Sequence, residues 1–208
     1  MASKSVAIIT MSTRATRVGP SVAEFVKNII EKPLAEDGIS IASVDLVKFN
    51  LPVYSEAVVP AMVPEKASFQ YEHSKAWSAE IAKYDGYALV IPEYNYGVAG
   101  GTKNAIDYLV NEWKGKPVTI VSYGVKGGNL ANDQVKGSLA AMGLRVTETR
   151  PTLPFAAEDV YTAIGAGKLG GDTMKDWEAV QTENIRKAAA ELKDLLLQPN
   201  TEVNVPKP

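Results

Sequence analysis

The segment TMSTRATRVGPS, residues 10–21, combines several hydroxyl side chains with two arginines. Ser12, Arg14 and Arg17 could together hold an anion, because hydroxyls and guanidiniums both donate hydrogen bonds to phosphate oxygens. A helix that began at the end of this segment would add free backbone N–H groups, which favour a negative charge. The segment therefore predicts a phosphate site. The alternative interpretation is a capped helix start with two solvated arginines.

A second segment, VIPEYNYGVAGGTKNAIDYL at residues 90–109, places two tyrosines and three glycines directly after an apolar run. Backbone amides there could bond the edge of a flat ring system, while Tyr94 or Tyr96 covers one of its faces. A tyrosine-rich turn packed against neighbouring loops, or a subunit interface, would use the same residues. The candidate binding residues of this loop are Pro92, Glu93, Tyr94, Asn95, Tyr96 and Gly97.

A third segment, SYGVKGGNLA at residues 122–131, repeats the succession of strand end, hydroxyl, aromatic ring and glycines. Its alternative is a loose glycine turn. The candidate binding residues of the third segment are Ser122, Tyr123, Gly124, Gly127 and Gly128.

The first segment, residues 10–21, matches neither G-x-x-x-x-G-K-[ST] nor G-x-G-x-x-G. The lack of both motifs argues against a P-loop nucleotidase and a Rossmann-type dinucleotide site.

Five aliphatic or β-branched runs could form the strands that position these segments. They lie at residues 6–10, 39–47, 87–92, 118–124 and 144–149. The first, third and fourth are almost continuously apolar, as in central strands, whereas the other two alternate with polar residues as edge strands do. With helical patterns between them, they predict an α/β fold: a flavodoxin-like doubly wound five-stranded parallel sheet of order 2-1-3-4-5 with helices on both faces. Ligands bind beyond the carboxyl ends of such strands, where the three segments would meet.

The helical patterns differ in regularity. The longest runs from about residue 172 to 197, and a less regular one covers 68–84. Helices at 99–113 and 129–142 flank the predicted site and are candidates for a dimer face. The connection at 51–64, LPVYSEAVVPAMVP, has no regular pattern, and long connections of this kind usually have a role. It could form a lip of the site, a dimer contact or a packed cover.

Composition excludes several classes of function. Of the 208 residues, 46% are hydrophobic, which suits a single domain over residues 1–197, with 198–208 expected to be a disordered tail. The lack of cysteine and the single histidine, His73, argue against thiol catalysis, a metal site and a Ser-His-Asp triad. A net charge of -2 indicates neither nucleic acid nor a membrane as partner. The first apolar run is too short for a signal peptide, so a cytoplasmic protein is expected.

Three motifs are similar to those of the NADPH-dependent FMN reductase family, which includes quinone reductases. They are S-T-R-A-T-R-x-G after the first strand, P-E-Y-N-Y-G-x-x-G-G-x-K-N-A-I-D-Y-L after the third and S-Y-G-x-x-G-G after the fourth. The likeness spans residues 5 to about 195, and the middle motif is the most specific. One departure is that many members carry Ser at the position of Arg17 and Asn at that of Gly19.

The resemblance implies a flavodoxin-like fold that holds FMN, as a homodimer with the flavin near the subunit interface. Ser12 and Arg14 would hold the FMN phosphate with Arg17 beside them, and Arg17 could instead meet the 2′-phosphate of NADPH. The residues of the second segment, 92–97, would frame the isoalloxazine ring. Those of the third segment would border its other edge.

The resemblance also implies a reaction. NADPH or NADH would pass a hydride to bound FMN, and a quinone, a free flavin or a similar small acceptor would then take two electrons. No catalytic side chain is required, because the flavin carries the chemistry. The alternative is a flavodoxin-type electron carrier that binds FMN without oxidising NAD(P)H itself, although such carriers are usually strongly acidic. A member that has lost its cofactor is the third possibility.

Overall fold

The structure, a computed structural model, describes residues 3–198. Its strands are β1 (Lys4–Thr10), β2 (Ile39–Asp45), β3 (Gly86–Tyr94), β4 (Gly97–Val98), β5 (Pro117–Gly124), β6 (Arg145–Val146) and β7 (Thr152–Pro154). Its α-helices are α1 (Gly19–Glu36), α2 (Glu72–Ala82), α3 (Gly100–Asp107), α4 (Asn129–Ala141), α5 (Val160–Ala166), α6 (Gly171–Val180) and α7 (Thr182–Leu197). None of the helices within this range is long and apolar enough to cross a membrane.

The strands form one sheet in the order β2-β1-β3-β5-β6, with β7 also paired to β5. These pairings are all parallel. The predicted flavodoxin-like fold and its strand order are therefore confirmed. The sheet has seven strands rather than five, because β4 folds back on β3 as a hairpin and the expected fifth strand is divided into β6 and β7.

The core lies in two layers, one on each face of the sheet. In β1, Ala7 and Ile9 belong to one layer, and Val6 and Ile8 belong to the other. The central strands are almost continuously apolar because both of their faces are covered. Helices α2, α3 and α4 pack on the first face, and helices α1, α6 and α7 pack on the second. This frame fixes where each strand ends and thereby where each loop of the site begins.

The fifth strand divides because its middle residues find other partners. After β6, the N–H and hydroxyl of Thr149 both donate to the Glu191 carboxylate, at 2.7 and 2.6 Å. Pro151, just before β7, has no N–H to contribute to a ladder. The predicted strand at 144–149 was therefore too long, and pairing with β5 resumes only at Thr152.

The last predicted helix is likewise divided, into α6 and α7, at Gln181. The Thr182 hydroxyl donates to the carbonyl oxygen of Glu178 at 2.9 Å, a back-bond of the kind that bends helices. The backbone bond from Gln181 to Trp177 is kept at 2.8 Å, so the two helices remain joined. Of the predicted tail, 198–208, all but Gln198 lies outside the described residues. That the chain is a single domain stays a prediction.

The long connection before α2 is fastened to helix α3. The side chain of Asn104 accepts from the Tyr54 N–H at 3.0 Å and donates to the Pro52 carbonyl at 2.7 Å. The Tyr108 hydroxyl also donates to Pro52, at 3.0 Å. The connection thus covers part of α3, while Val53 and Val59 remain 84% and 59% exposed.

Candidate functional site

The loop between β1 and α1 is held by the Arg17 side chain. Its Nη1 donates to Asp45 Oδ1 at 3.0 Å and its Nη2 to Asp45 Oδ2 at 2.7 Å, and Nη1 also donates to the Ser12 carbonyl oxygen at 3.0 Å. Only 12% of the Arg17 side chain is exposed. Bidentate pairing fixes the plane of a guanidinium. Arg17 therefore stabilises the loop, because its Nη1 and Nη2 atoms donate to Asp45 and to the Ser12 carbonyl oxygen.

Asp45 is a residue of this site that the sequence analysis missed. It ends β2 and stands opposite Thr10, the last residue of β1. The predicted order already placed the end of β2 beside the first loop. An acidic residue at that strand end was therefore the available signal.

The first turn of α1 packs tightly under this loop. A Cβ on Gly19 would lie 2.1 Å from Ser12 Oγ and 2.9 Å from Tyr123 Oη, so only glycine lets the helix begin here. Ser12 is fully buried. Tyr123 Oη faces Ser12 without a hydrogen bond of regular geometry, and burial raises the pKa of Tyr123. No side chain caps α1, so the N–H groups of Gly19 and Ser21 are left for another acceptor, while Pro20 between them has none.

The hairpin of β3 and β4 places a strained residue at the rim of the site. Its turn residues Asn95 and Tyr96 have left-handed backbone, with φ of 50° and 60°, and Tyr94 pairs with Gly97 across the turn. Positive φ at both positions defines a type I′ turn. Asn accepts this conformation, but Tyr seldom does, because its Cβ approaches the carbonyl oxygen. The Tyr96 side chain is 73% exposed.

Glu93 joins the end of β3 to the start of α4. Its Oε2 accepts the backbone N–H groups of Leu130 at 2.9 Å and Ala131 at 3.1 Å. A carboxylate at this position accepts hydrogen bonds from N–H groups of the first helical turn that have no partner within the helix, and its negative charge interacts favourably with the helix dipole. Gln134 of α4 accepts the Val98 N–H at 2.9 Å, so the hairpin is fastened to the helix at a second point.

The loop after β5 is closed by buried polar contacts. Ser122 Oγ donates to the Gly127 carbonyl at 2.9 Å and accepts from Asn132 Nδ2 at 3.0 Å, so its hydroxyl is used within the protein. Gly127 and Gly128 have φ of 81° and 79°, which other residues rarely adopt. A Cβ on Gly128 would lie 3.0 Å from Ser122 Cβ. The glycines therefore allow the loop to fold closely over the strand end.

A cavity of about 300 Å³ lies where the three loops meet. It brings together seven of the predicted residues: Arg14, Arg17, Glu93, Tyr94, Asn95, Tyr123 and Gly124. The other predicted residues do not line it: Ser12, Pro92 and Ser122 are buried, Tyr96 points outward, and Gly97, Gly127 and Gly128 shape the turns. Phe155, Ala163 and Ile164 also line the cavity. They follow β7 or lie in α5, which no sequence pattern predicted.

Arg14 is the exposed cation of this cavity. Its Cζ lies 3.5 Å from the centroid of the Tyr94 ring. Within residues 3–198 the Arg14 side chain forms neither an ion pair nor a hydrogen bond. Burial raises the pKa of Tyr94, and the charges of Arg14 and Arg17 oppose that shift.

These features suit FMN. The phosphate end would meet a guanidinium without a carboxylate partner and the uncapped start of α1. The ring end would meet the hairpin after β3 and the close-lying glycine backbone after β5. A cavity of about 300 Å³ is within the range of small-molecule sites.

Solved structures place the fold in a known class. The flavoenzyme NAD(P)H:(acceptor) oxidoreductase FerB from Paracoccus denitrificans matches with a TM-score of 0.62 and 21% identity, over 90% of this chain and 98% of that one. A flavodoxin from the domain Archaea matches with a TM-score of 0.51 and 12% identity, over 91% of this chain and 99% of that one. At these identities the likeness shows the fold alone, which is flavodoxin-like.

Sequence comparison then defines the family. The model for NADPH-dependent FMN reductase matches residues 5–158. The NAD(P)H-dependent FMN reductase ntnL of Nectria sp is 52% identical over 197 residues, covering 93% of this chain and 98% of the relative. A quinone reductase of Pseudomonas putida is 32% identical over 176 residues, covering 81% and 86%. The chain belongs to the NADPH-dependent FMN reductase family.

Family membership confirms the resemblance drawn from the three motifs. It also confirms the oxidoreductase class and the cofactors that the resemblance implied, FMN and NAD(P)H. The roles of individual residues within the site are not tested by these matches and stay predictions.

The contacts of Glu93 predict a measurable contribution to stability. Glu93→Ala should lower the free energy of unfolding by about 1–2 kcal/mol, because two N–H groups of α4 lose their acceptor. Glu93→Gln should cost less, since an amide oxygen still accepts but carries no charge. Urea denaturation of both variants measures this, with the exposed Glu148→Ala as control. Equal stability of Glu93→Ala and the wild type would contradict the capping role.

Proposed function

We propose that this chain oxidises NAD(P)H with FMN bound at the carboxyl ends of β1, β3 and β5, and that a quinone, a free flavin or a similar small acceptor receives two electrons. The observation that carries the proposal is the convergence of Arg14, Tyr94 and the glycine loop after β5 on one cavity. The acceptor class rests on relatives named as FMN reductases and quinone reductases.

At the phosphate end, Arg14 would bind the phosphate together with N–H groups at the start of α1. For Ser12 and Arg17 we propose a role different from the phosphate contacts that the motif suggested. Ser12 is buried, and the donors of Arg17 are directed at Asp45 and the Ser12 carbonyl. Both residues would therefore shape the loop that meets the phosphate. For the same reason we do not assign Arg17 to the 2′-phosphate of NADPH.

At the ring end, the backbone of residues 92–97 and the third loop, from Tyr123 to Gly128, would frame the isoalloxazine. Bound FMN supplies the redox chemistry, and the chain holds and orients it. Glu93 and Ser122 keep the two loops in place through the contacts described above. Tyr96, exposed beside the cavity, is the ring available to a substrate or a second subunit.

We further propose that the protein acts as a homodimer in the cytoplasm. The support for a dimer is a set of exposed apolar residues in the connection before α2, in the β3–β4 hairpin and around the loop after β5: Val53, Val59, Met62, Tyr96, Val125 and Leu130. Because the connection at 51–64 covers part of α3, the outer surface of that connection replaces α3 as a candidate face. Helix α4 remains the other candidate.

The phosphate assignment predicts the effect of removing Arg14. Arg14→Ala should raise the dissociation constant for FMN about 10- to 100-fold, because a charge-assisted hydrogen bond is lost. Riboflavin, which lacks the phosphate, should bind as before. Fluorescence titration measures both affinities, with the exposed Arg186→Ala as matched control. If Arg14→Ala retained all its FMN through desalting, the assignment would be wrong.

The reaction itself is tested by absorbance without oxygen. Addition of NADPH to the FMN-loaded protein should bleach the flavin band, and subsequent addition of a quinone should restore it. A flavodoxin-type carrier would keep its absorbance until a separate reductase is supplied. A protein that stays colourless in excess FMN would exclude both functions.

Sedimentation measurements test the dimer. The wild type should sediment as a dimer, and Val53→Glu combined with Val59→Glu should sediment as a monomer, since two charges would be placed in the interface. Val180→Glu, which changes a valine that is 63% exposed on α6, is the control and should remain dimeric. A monomeric wild type would refute the proposal.

A further inference from the structure

The two arginines of the first loop are held in opposite ways. Arg17 meets Asp45 through its nitrogen edges, with hydrogen bonds of 3.0 and 2.7 Å. Arg14 meets Tyr94 through its face, with Cζ 3.5 Å from the ring centroid. At that distance a planar guanidinium fits only when it lies nearly flat on the ring. The loop therefore holds one guanidinium by its donors and the other by its π face.

The two modes differ in what they leave free. A guanidinium carries its N–H donors in its own plane, directed outward from the edges. Two hydrogen bonds to Asp45 and one to the Ser12 carbonyl oxygen occupy three of the five N–H donors of Arg17, and the Asp45 carboxylate balances its charge. Stacking on Tyr94 leaves the Arg14 donors unused and its charge in place, because an aromatic ring attracts a cation without neutralising it. Arg14, with its charge unbalanced and its donors unused, is thus the better prepared of the two to take up an anion.

Tyr94 is also a rigid support. It ends β3 and is paired with Gly97 across the hairpin. Its ring is half-buried, whereas Arg14 is exposed on the loop. A long exposed side chain loses rotamer freedom when it binds a ligand, and a group that holds it in place beforehand reduces this loss.

We propose that Tyr94 is a positioning residue for phosphate recognition: its ring holds the Arg14 guanidinium flat and uncompensated, so that the site selects a flavin that carries a phosphomonoester. This inference rests on the function proposed above and gives Tyr94 a different part from the flavin cover that the sequence suggested. It identifies Arg14 as the selecting cation and Asp45 as the residue that withdraws Arg17 from that task.

The experiment compares FMN with riboflavin, so that only the phosphate contribution is measured. For each variant, fluorescence titration gives the ratio of the riboflavin dissociation constant to the FMN dissociation constant. Tyr94→Leu should lower this ratio about fivefold or more, because the cation–π support is lost. Tyr94→Phe keeps the ring and should stay within about twofold of the wild type. Tyr161→Leu, which removes a tyrosine that is 88% exposed on α5, is the control and should leave the ratio unchanged.

A double-mutant cycle separates positioning from a general structural effect. Once Arg14→Ala is present, Tyr94→Leu should lower the ratio no further, since the ring has nothing left to hold. An equal fall with and without Arg14 would overturn the inference. A wild-type ratio in Tyr94→Leu, or a Tyr94→Phe ratio as low as that of Tyr94→Leu, would also overturn it.

A second variant keeps the inference testable if Tyr94→Leu does not fold, because Arg14 is exposed and its substitution should not disturb folding. Arg14→Lys keeps the charge but replaces the flat guanidinium with a compact ammonium, and its ratio should fall about threefold or more. A ratio in Arg14→Lys equal to that of the wild type would show that stacking is not required.

The outcomes also distinguish this inference from the proposed function. If the wild type bound neither flavin, the proposed function would fail as well. If it bound both and Tyr94→Leu had no effect, only the present inference would fail.

Discussion

The ion pair between Arg17 and Asp45 is the constraint on which the candidate site depends. It ties the loop after β1 to the end of the neighbouring strand β2, and the same guanidinium holds the Ser12 carbonyl. Ser12 in turn lies against Gly19, so the position of the first turn of α1 follows from contacts that begin at Asp45. Because little of Arg17 is exposed to water, removal of either partner would leave a poorly solvated charge, and the pair stabilises the loop as a unit.

This pairing also explains how the loop accommodates a second arginine. A loop with two free guanidiniums would carry two like charges close together, which repel each other when no anion is present. Since Asp45 balances Arg17, the loop presents one net positive charge beside the uncapped helix. Arg17 therefore contributes to how the loop is built, while Asp45 balances its charge.

Much of the fold was predictable because its signals are local. Apolar periodicity located the central strands, and the alternation of strands and helices indicated a doubly wound parallel sheet, whose usual order predicts the edge where the loops meet. Contacts between distant residues were not predictable in this way. Asp45 and Arg17 are separated by 28 positions and Thr149 and Glu191 by 42, and only the folded chain makes them partners. Likewise, the sequence indicated that Tyr94 belongs to the site but not that its ring would face Arg14.

The hairpin between β3 and β4 limits how this surface can change. Tyr96 keeps a backbone conformation that glycine would adopt with less strain, and the hairpin is fastened to α4 through Glu93 and Gln134. These contacts restrict the backbone of the hairpin to few other conformations. Exchange of the ring for another unbranched side chain would alter the chemistry of the rim and leave the path of the chain as it is. Recognition at this edge can therefore diversify independently of the scaffold beneath it.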